Sequence, residues 1–191
     1  MMRRSLLFSM LPVAVLASAI LYLDPIAAKA EPQDFERFTL DVAVLHPTFA
    51  IVPGAIFGET GASTQRGTPF IVDGKIFPGG TLHKGAGTGD PDMPGSVGSW
   101  ICKGIFTSDL GSEDIGFDTT QMFLFNGDHE AIWTEGLEAG LGKIGVITHR
   151  TILGGTGRFR GAQGEVVQES LRTNVGGTPN IRVTFKIERG R

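Results

Sequence analysis

Glycine is the residue that most limits what this chain can become. All 28 glycines fall after position 30 of the 191-residue sequence. About one residue in six of that remainder is therefore glycine, against a usual share of roughly 7%. Glycine loses the most conformational freedom on ordering and tolerates positive φ, so it weakens helices and suits tight turns. A chain punctuated this often folds into short strands separated by turns.

The apolar residues alternate accordingly. Phe38, Leu40, Val42, Val44 and His46 share one side of a predicted strand, Phe38–His46. Further strands are predicted over Phe70–Phe77, Ser99–Thr107, Thr119–Phe125, His129–Glu138, Ile147–Leu153, Gly164–Leu171 and Ile181–Glu188. The last is the cleanest, with Ile181, Val183, Phe185 and Ile187 inward and Arg182, Thr184, Lys186 and Glu188 outward. Asn126-Gly127 between two strands is a strong hairpin signal. Eight strands in series, with no competing helical period, predict an all-β fold, an eight-stranded antiparallel up-and-down β-barrel or a sandwich. Closure removes exposed sheet edges, and eight strands enclose side chains or one small ligand. The charged outward row of the last strand argues against a lipid-facing barrel.

Residues 1–30 read as an address. A short basic start, an apolar run over Leu6–Leu23 and the small residues of Ala28-Lys29-Ala30 make a signal peptide, cleaved after Ala30. The expected product is an exported, periplasmic or secreted domain, residues 31–191, with membrane attachment only if the leader stays on. Residues 1–30 hold three basic residues and one acidic one, which leaves 14 positive against 19 negative charges beyond them, a net of −5. An acidic body without a basic run does not suit nucleic acid. Cys102 is the single cysteine, so no internal disulfide or thiolate metal cluster is expected.

Several motifs dissolve on inspection. Gly140 to Gly145 spells G-x-G-x-x-G, but a strand follows where a dinucleotide site needs a helix, so it reads as a turn. Asp90-x-Asp92 lacks the later ligands of a calcium loop. His46, His83, His129 and His149 lie on separate segments without metal-ligand spacing. Gly79–Gly98, rich in glycine and without a strand pattern, is either a cover over the barrel mouth or a plain connection. Candidate pocket residues are Trp100, Cys102, Phe123 and Trp133, and candidate proton-handling residues are His46 and Glu135. Each has a plain alternative, since strand aromatics and a buried thiol are usually core.

The run Gly154-Gly155-Thr156-Gly157-Arg158-Phe159-Arg160-Gly161-Ala162-Gln163-Gly164 resembles the glycine-rich segment of the allene oxide cyclase and dirigent superfamily. Gln121 to Asp128 is similar to the central hairpin of the cyclases, and Ile181–Ile187 to their last strand. With its leader the chain reads as a secreted, bacterial-type member. The resemblance implies an eight-stranded barrel, a homo-trimer as one assembly, and an apolar lumen that steers a reactive intermediate without a cofactor. It also implies that Cys102 matches a pocket cysteine, while Gly154, Gly155 and Gly157 form a structural turn. The sequence departs from the plant cyclases in lacking a glutamate on the first strand, where His46 is the substitute, and in having no tyrosine after Tyr22. The reading is a barrel holding a small apolar or amphipathic molecule, with a cofactor-free cyclase or isomerase and a filled structural barrel as alternatives. Inward polar groups near one mouth favour an enzyme, and a wholly apolar lumen favours a binder.

Overall fold

The computed structural model describes residues 35–45, 50–51, 55–56, 66–82, 92–108, 116–139, 144–175 and 179–188. The leader, its cleavage point, His46 and His83 lie outside these residues, as does the middle of the Gly79–Gly98 stretch.

Among the described residues ten strands run in chain order: β1 Phe35–Val44, β2 Ala50–Ile51, β3 Ala55–Ile56, β4 Pro69–Pro78, β5 Gly98–Phe106, β6 Gly116–Phe125, β7 Glu130–Ala139, β8 Ile147–Thr156, β9 Gln163–Thr173 and β10 Pro179–Glu188. Eight of them form an antiparallel up-and-down barrel, ordered β1-β10-β9-β8-β7-β6-β5-β4. β1 closes the ring by pairing with β10 through Phe35–Val42 and with β4 through Leu40–Val44. The short β2 and β3 extend the edge beside Phe70 and Ile71 of β4. No alternation in sequence announces two-residue strands, and these were not expected.

Period-two patterning is what fills the interior. Phe117, Thr119, Gln121, Phe123 and Phe125 are buried along β6 while the residues between them are half-buried. The Asn126-Gly127 turn takes left-handed φ of 51° and 62° and joins β6 to β7, with Phe125 opposite Glu130. Phenylalanines pack in two groups. Phe70, Phe106 and Phe117 meet with centroids 4.9–5.5 Å apart. Phe185 stacks on Phe38 at 4.7 Å and meets Phe123 edge-on at 5.0 Å. A 3-10 turn, Gly157–Phe159, follows β8 and buries Phe159 beside Phe38 and Phe125.

The β8–β9 seam is half open. Their ladder covers only Ile147–Thr151 against Glu169–Glu165. Beyond it lies an outer groove of about 770 Å³ between Leu153 and Lys186.

The glycines around the 3-10 turn have separate jobs. A Cβ on Gly155 would stand 2.6 Å from the carbonyl oxygens of both Ala131 and Phe159. Gly157 has φ +58°, and its Cβ would come 2.7 Å from Glu130 Cγ. Gly157→Ala is therefore expected to cost about 1–2 kcal/mol for the left-handed backbone alone. Urea unfolding should show a lower midpoint at unchanged slope.

A smaller apolar cluster sits outside the barrel wall. Ala43, Phe77, Leu82 and Leu171 are buried there, with Met93 against them. The start of the Gly79–Gly98 stretch is thus packed on the outer face.

Candidate functional site

A belt of polar side chains crosses the barrel interior. Along β6, Thr119 and Gln121 lie on the same inward row as Phe117 and Phe123. Opposite them, β7 places Gly136 against Thr119, Thr134 against Gln121 and Glu138 against Phe117. β8 supplies Arg150 and β9 supplies Gln168, both buried. Gly136 is what lets Arg150 lie across β7, because a Cβ there would be 3.1 Å from Arg150 Cγ.

Arg150 has a side chain with no solvent exposure. Its Nε donates to Thr134 Oγ1 at 3.0 Å. Its Nη1 donates to Thr119 Oγ1 at 2.8 Å and to Glu138 Oε1 at 2.7 Å. Its Nη2 donates to the carbonyls of Thr119 at 2.9 Å and Thr134 at 3.4 Å. Glu138 Oε1 also accepts from Thr119 Oγ1 at 2.7 Å and Gln121 Nε2 at 3.0 Å. Glu138 Oε2 accepts from Gln168 Nε2 at 2.8 Å. Gln121 Nε2 donates on to Gln168 Oε1 at 2.8 Å, and Trp100 Nε1 donates to Gln121 Oε1 at 3.3 Å. Five strands are tied together by this belt. Among the described residues no buried side-chain nitrogen or oxygen lacks a partner. Glu138 is the member that reaches solvent, with 21% of its side chain exposed.

Trp100, Cys102 and Phe123 are all buried in the interior, with Trp100 opposite Phe123 and Cys102 opposite Gln121 across β5 and β6. Burial pushes the Cys102 thiol well above its ordinary range. The Glu138 charge pushes the same way, and Arg150 opposes. A raised pKa keeps the reactive thiolate scarce at neutral pH. Native labelling by a small thiol reagent is therefore expected to be slow and to accelerate only as pH climbs far above 8. Unfolding in urea should speed it by at least about tenfold, since a free cysteine titrates near 8.5. Fast native labelling would contradict this burial.

Two expectations need correction. Trp133 pairs with Met122 and Glu135 with Thr120, the face of the sheet opposite to Phe123 and Gln121. Trp133 is half-buried and Glu135 exposed on the outside. The parity of β7 is set by the hairpin, which puts Phe125 opposite Glu130 and hence Ile132, Thr134 and Glu138 inward; a shift by one residue would invert every side chain. Glu138, Arg150, Gln168, Thr119 and Thr134 were missed. The available signal was polar residues in register with phenylalanines on β6, and a glycine beside a charged strand residue.

No protein family matches the chain by sequence profile, and no curated protein matches it by sequence. Solved structures do match. The structure of the pterocarpan synthase dirigent protein PsPTS1 aligns with a TM-score of 0.56 at 16% identity, covering 84% of this chain and 99% of that one. The pterocarpan synthase dirigent protein GePTS1 aligns with a TM-score of 0.54 at 16% identity, covering 90% and 99%. A pyocyanin demethylase aligns with a TM-score of 0.49 at 16% identity, covering 78% and 98%. The chain has the dirigent-type barrel fold that its glycine-rich run led us to expect.

Proposed function

We propose that this chain is a lumen-binding barrel, exported after loss of residues 1–30, which holds one small amphipathic molecule without a cofactor. The polar end of that molecule meets Glu138 and its apolar part lies against the neighbouring phenylalanines. The observation that carries this reading is the position of Glu138, held by four donors yet one-fifth exposed. Retaining a buried ion pair where apolar side chains would pack as well is a feature of functional sites as well as of register locks.

Binding is favoured over turnover because Glu138 is the one ionisable member of the belt with solvent access, the Arg150 side chain being fully shielded, so no second group stands ready to return an abstracted proton. Turnover as a cyclase or isomerase is the second reading. It is supported by an inward polar group near one end and by dirigent neighbours described as pterocarpan synthases.

The test is a native mass spectrum of protein purified from the exported fraction, with extraction of any retained compound. An amphipathic compound near one per chain is expected, and the same spectrum counts subunits, for which a homotrimer is the proposed assembly. An empty protein with no thermal shift across lipid and phenolic panels would leave a filled structural barrel. Conversion of the retained compound during incubation would move the assignment to the isomerase reading.

A further inference from the structure

We infer that the lumen site selects ligands bearing a hydrogen-bond donor and excludes anions, with Arg150 acting as the positioning residue for Glu138. This inference rests on the lumen-binding reading above.

A buried arginine in a lumen invites assignment as an anion hook, but the donor count opposes that. A guanidinium has five N–H donors in a fixed plane. All five of Arg150 are spent inside the barrel, on Thr134 Oγ1, Thr119 Oγ1, Glu138 Oε1 and the carbonyls of Thr119 and Thr134. Its side chain has no exposed surface through which an incoming carboxylate or phosphate could compete. Both amide hydrogens of Gln121 are likewise committed, to Glu138 and Gln168.

Acceptor capacity remains. Glu138 Oε1 accepts three hydrogen bonds, whereas Oε2 accepts one, from Gln168. Each carboxylate oxygen offers about two lone-pair sites. The open lone pair of the belt therefore belongs to Oε2, on the one member that reaches solvent. A ligand N–H or O–H can satisfy it, most strongly when cationic, because charge-assisted hydrogen bonds are the stronger ones. An anion there would confront the Glu138 carboxylate, and the second N–H of Gln168 Nε2, a single neutral donor beside Oε2, would offset little of that repulsion. Arg150 fixes the direction of that carboxylate through a single short bond to Oε1 while remaining shielded from the ligand.

The experiment compares three probes of one chain length on protein expressed as the full chain: octylammonium, octanol and octanoate, by calorimetry at neutral pH. Octylammonium is expected to bind at least about tenfold more tightly than octanoate, a difference well resolved by calorimetry. Octanol should fall between them. Glu138→Gln should abolish the preference by weakening octylammonium and sparing or strengthening octanoate. Arg150→Lys keeps the charge but loses the fork, and should narrow the same ratio, which a merely structural loss would not move. Octanoate binding as tightly as octylammonium to the unaltered protein overturns the inference while leaving lumen binding intact. A preference that survives Glu138→Gln also overturns it. If none of the three binds the unaltered protein, the lumen-binding reading falls and this inference falls with it.

Discussion

Arg150→Met is expected to lower stability by about 3–5 kcal/mol, the usual cost of removing one partner from a buried ion pair. Methionine can fill much of the space beside Gly136, so packing is not the main loss. The loss lies in what is stranded: Glu138 Oε1 without its counter-charge, and the carbonyls of Thr119 and Thr134 without their guanidinium bonds. Total stabilities of single domains run at about 5–15 kcal/mol, so this change consumes a large share. Glu138→Gln in the Arg150→Met background should return a sizeable part of the deficit, because a neutral amide no longer needs the guanidinium. Urea unfolding of both single variants and the double variant gives the coupling directly. A loss within about 0.5 kcal/mol for Arg150→Met, the range of ordinary surface changes, would mean that the pair contributes nothing.

The barrel was legible because its signals are local. Period-two alternation over Ile181–Glu188, the Asn126-Gly127 turn and the density of glycine each act within one strand or one hairpin. The observed strands mostly extend the expected ones by a few residues: β1 begins at Phe35, β6 at Gly116 and β8 runs to Thr156. The site was less legible because it depends on contacts between strands. Arg150 stands between Thr148 and Ile152 on one strand, and a lone charge normally reads as outward. Only the meeting with Glu138, on β7, makes its burial tolerable. Trp133 and Glu135 were misplaced for a related reason. On β7 neither face is purely apolar, so the face carrying the larger aromatic looked inward, and the register fixed across the hairpin decided otherwise. Trp100, Cys102 and Phe123 sit on strands whose inward faces are mostly apolar, where parity was plain.

Asp41→Ala is expected to cost about 2–4 kcal/mol, and to do so without touching the lumen. Asp41 is fully buried on the outer side of β1 and accepts four hydrogen bonds. Arg182 donates from Nε to Oδ1 at 2.7 Å and from Nη2 to Oδ2 at 3.0 Å. The backbone N–H groups of Gly80 and Leu82 donate to Oδ2 at 2.9 Å and 2.8 Å. The hydrogen bond to Asp41, more than any other influence, raises the pKa of Arg182 above its ordinary value. Alanine leaves two backbone donors without their acceptor and Arg182 with the Leu82 carbonyl and the neighbouring charge of Glu169. A quarter of the Arg182 side chain is exposed, so water can recover part of its loss, which is why the expected cost is below that of Arg150→Met. The characteristic result is local. Amide exchange should accelerate at Gly80 and Leu82, and Leu82 should loosen from Phe77 and Leu171, while Glu138 and Arg150 keep their protection. Asp41→Asn, which keeps one acceptor oxygen, should fall between alanine and the unaltered chain. Unchanged exchange at Gly80 and Leu82 would show that the apolar contacts of Leu82 hold the segment by themselves. Accelerated exchange confined to it would identify Asp41 as the clamp that fixes the start of the glycine-rich stretch to the barrel wall, outside the lumen.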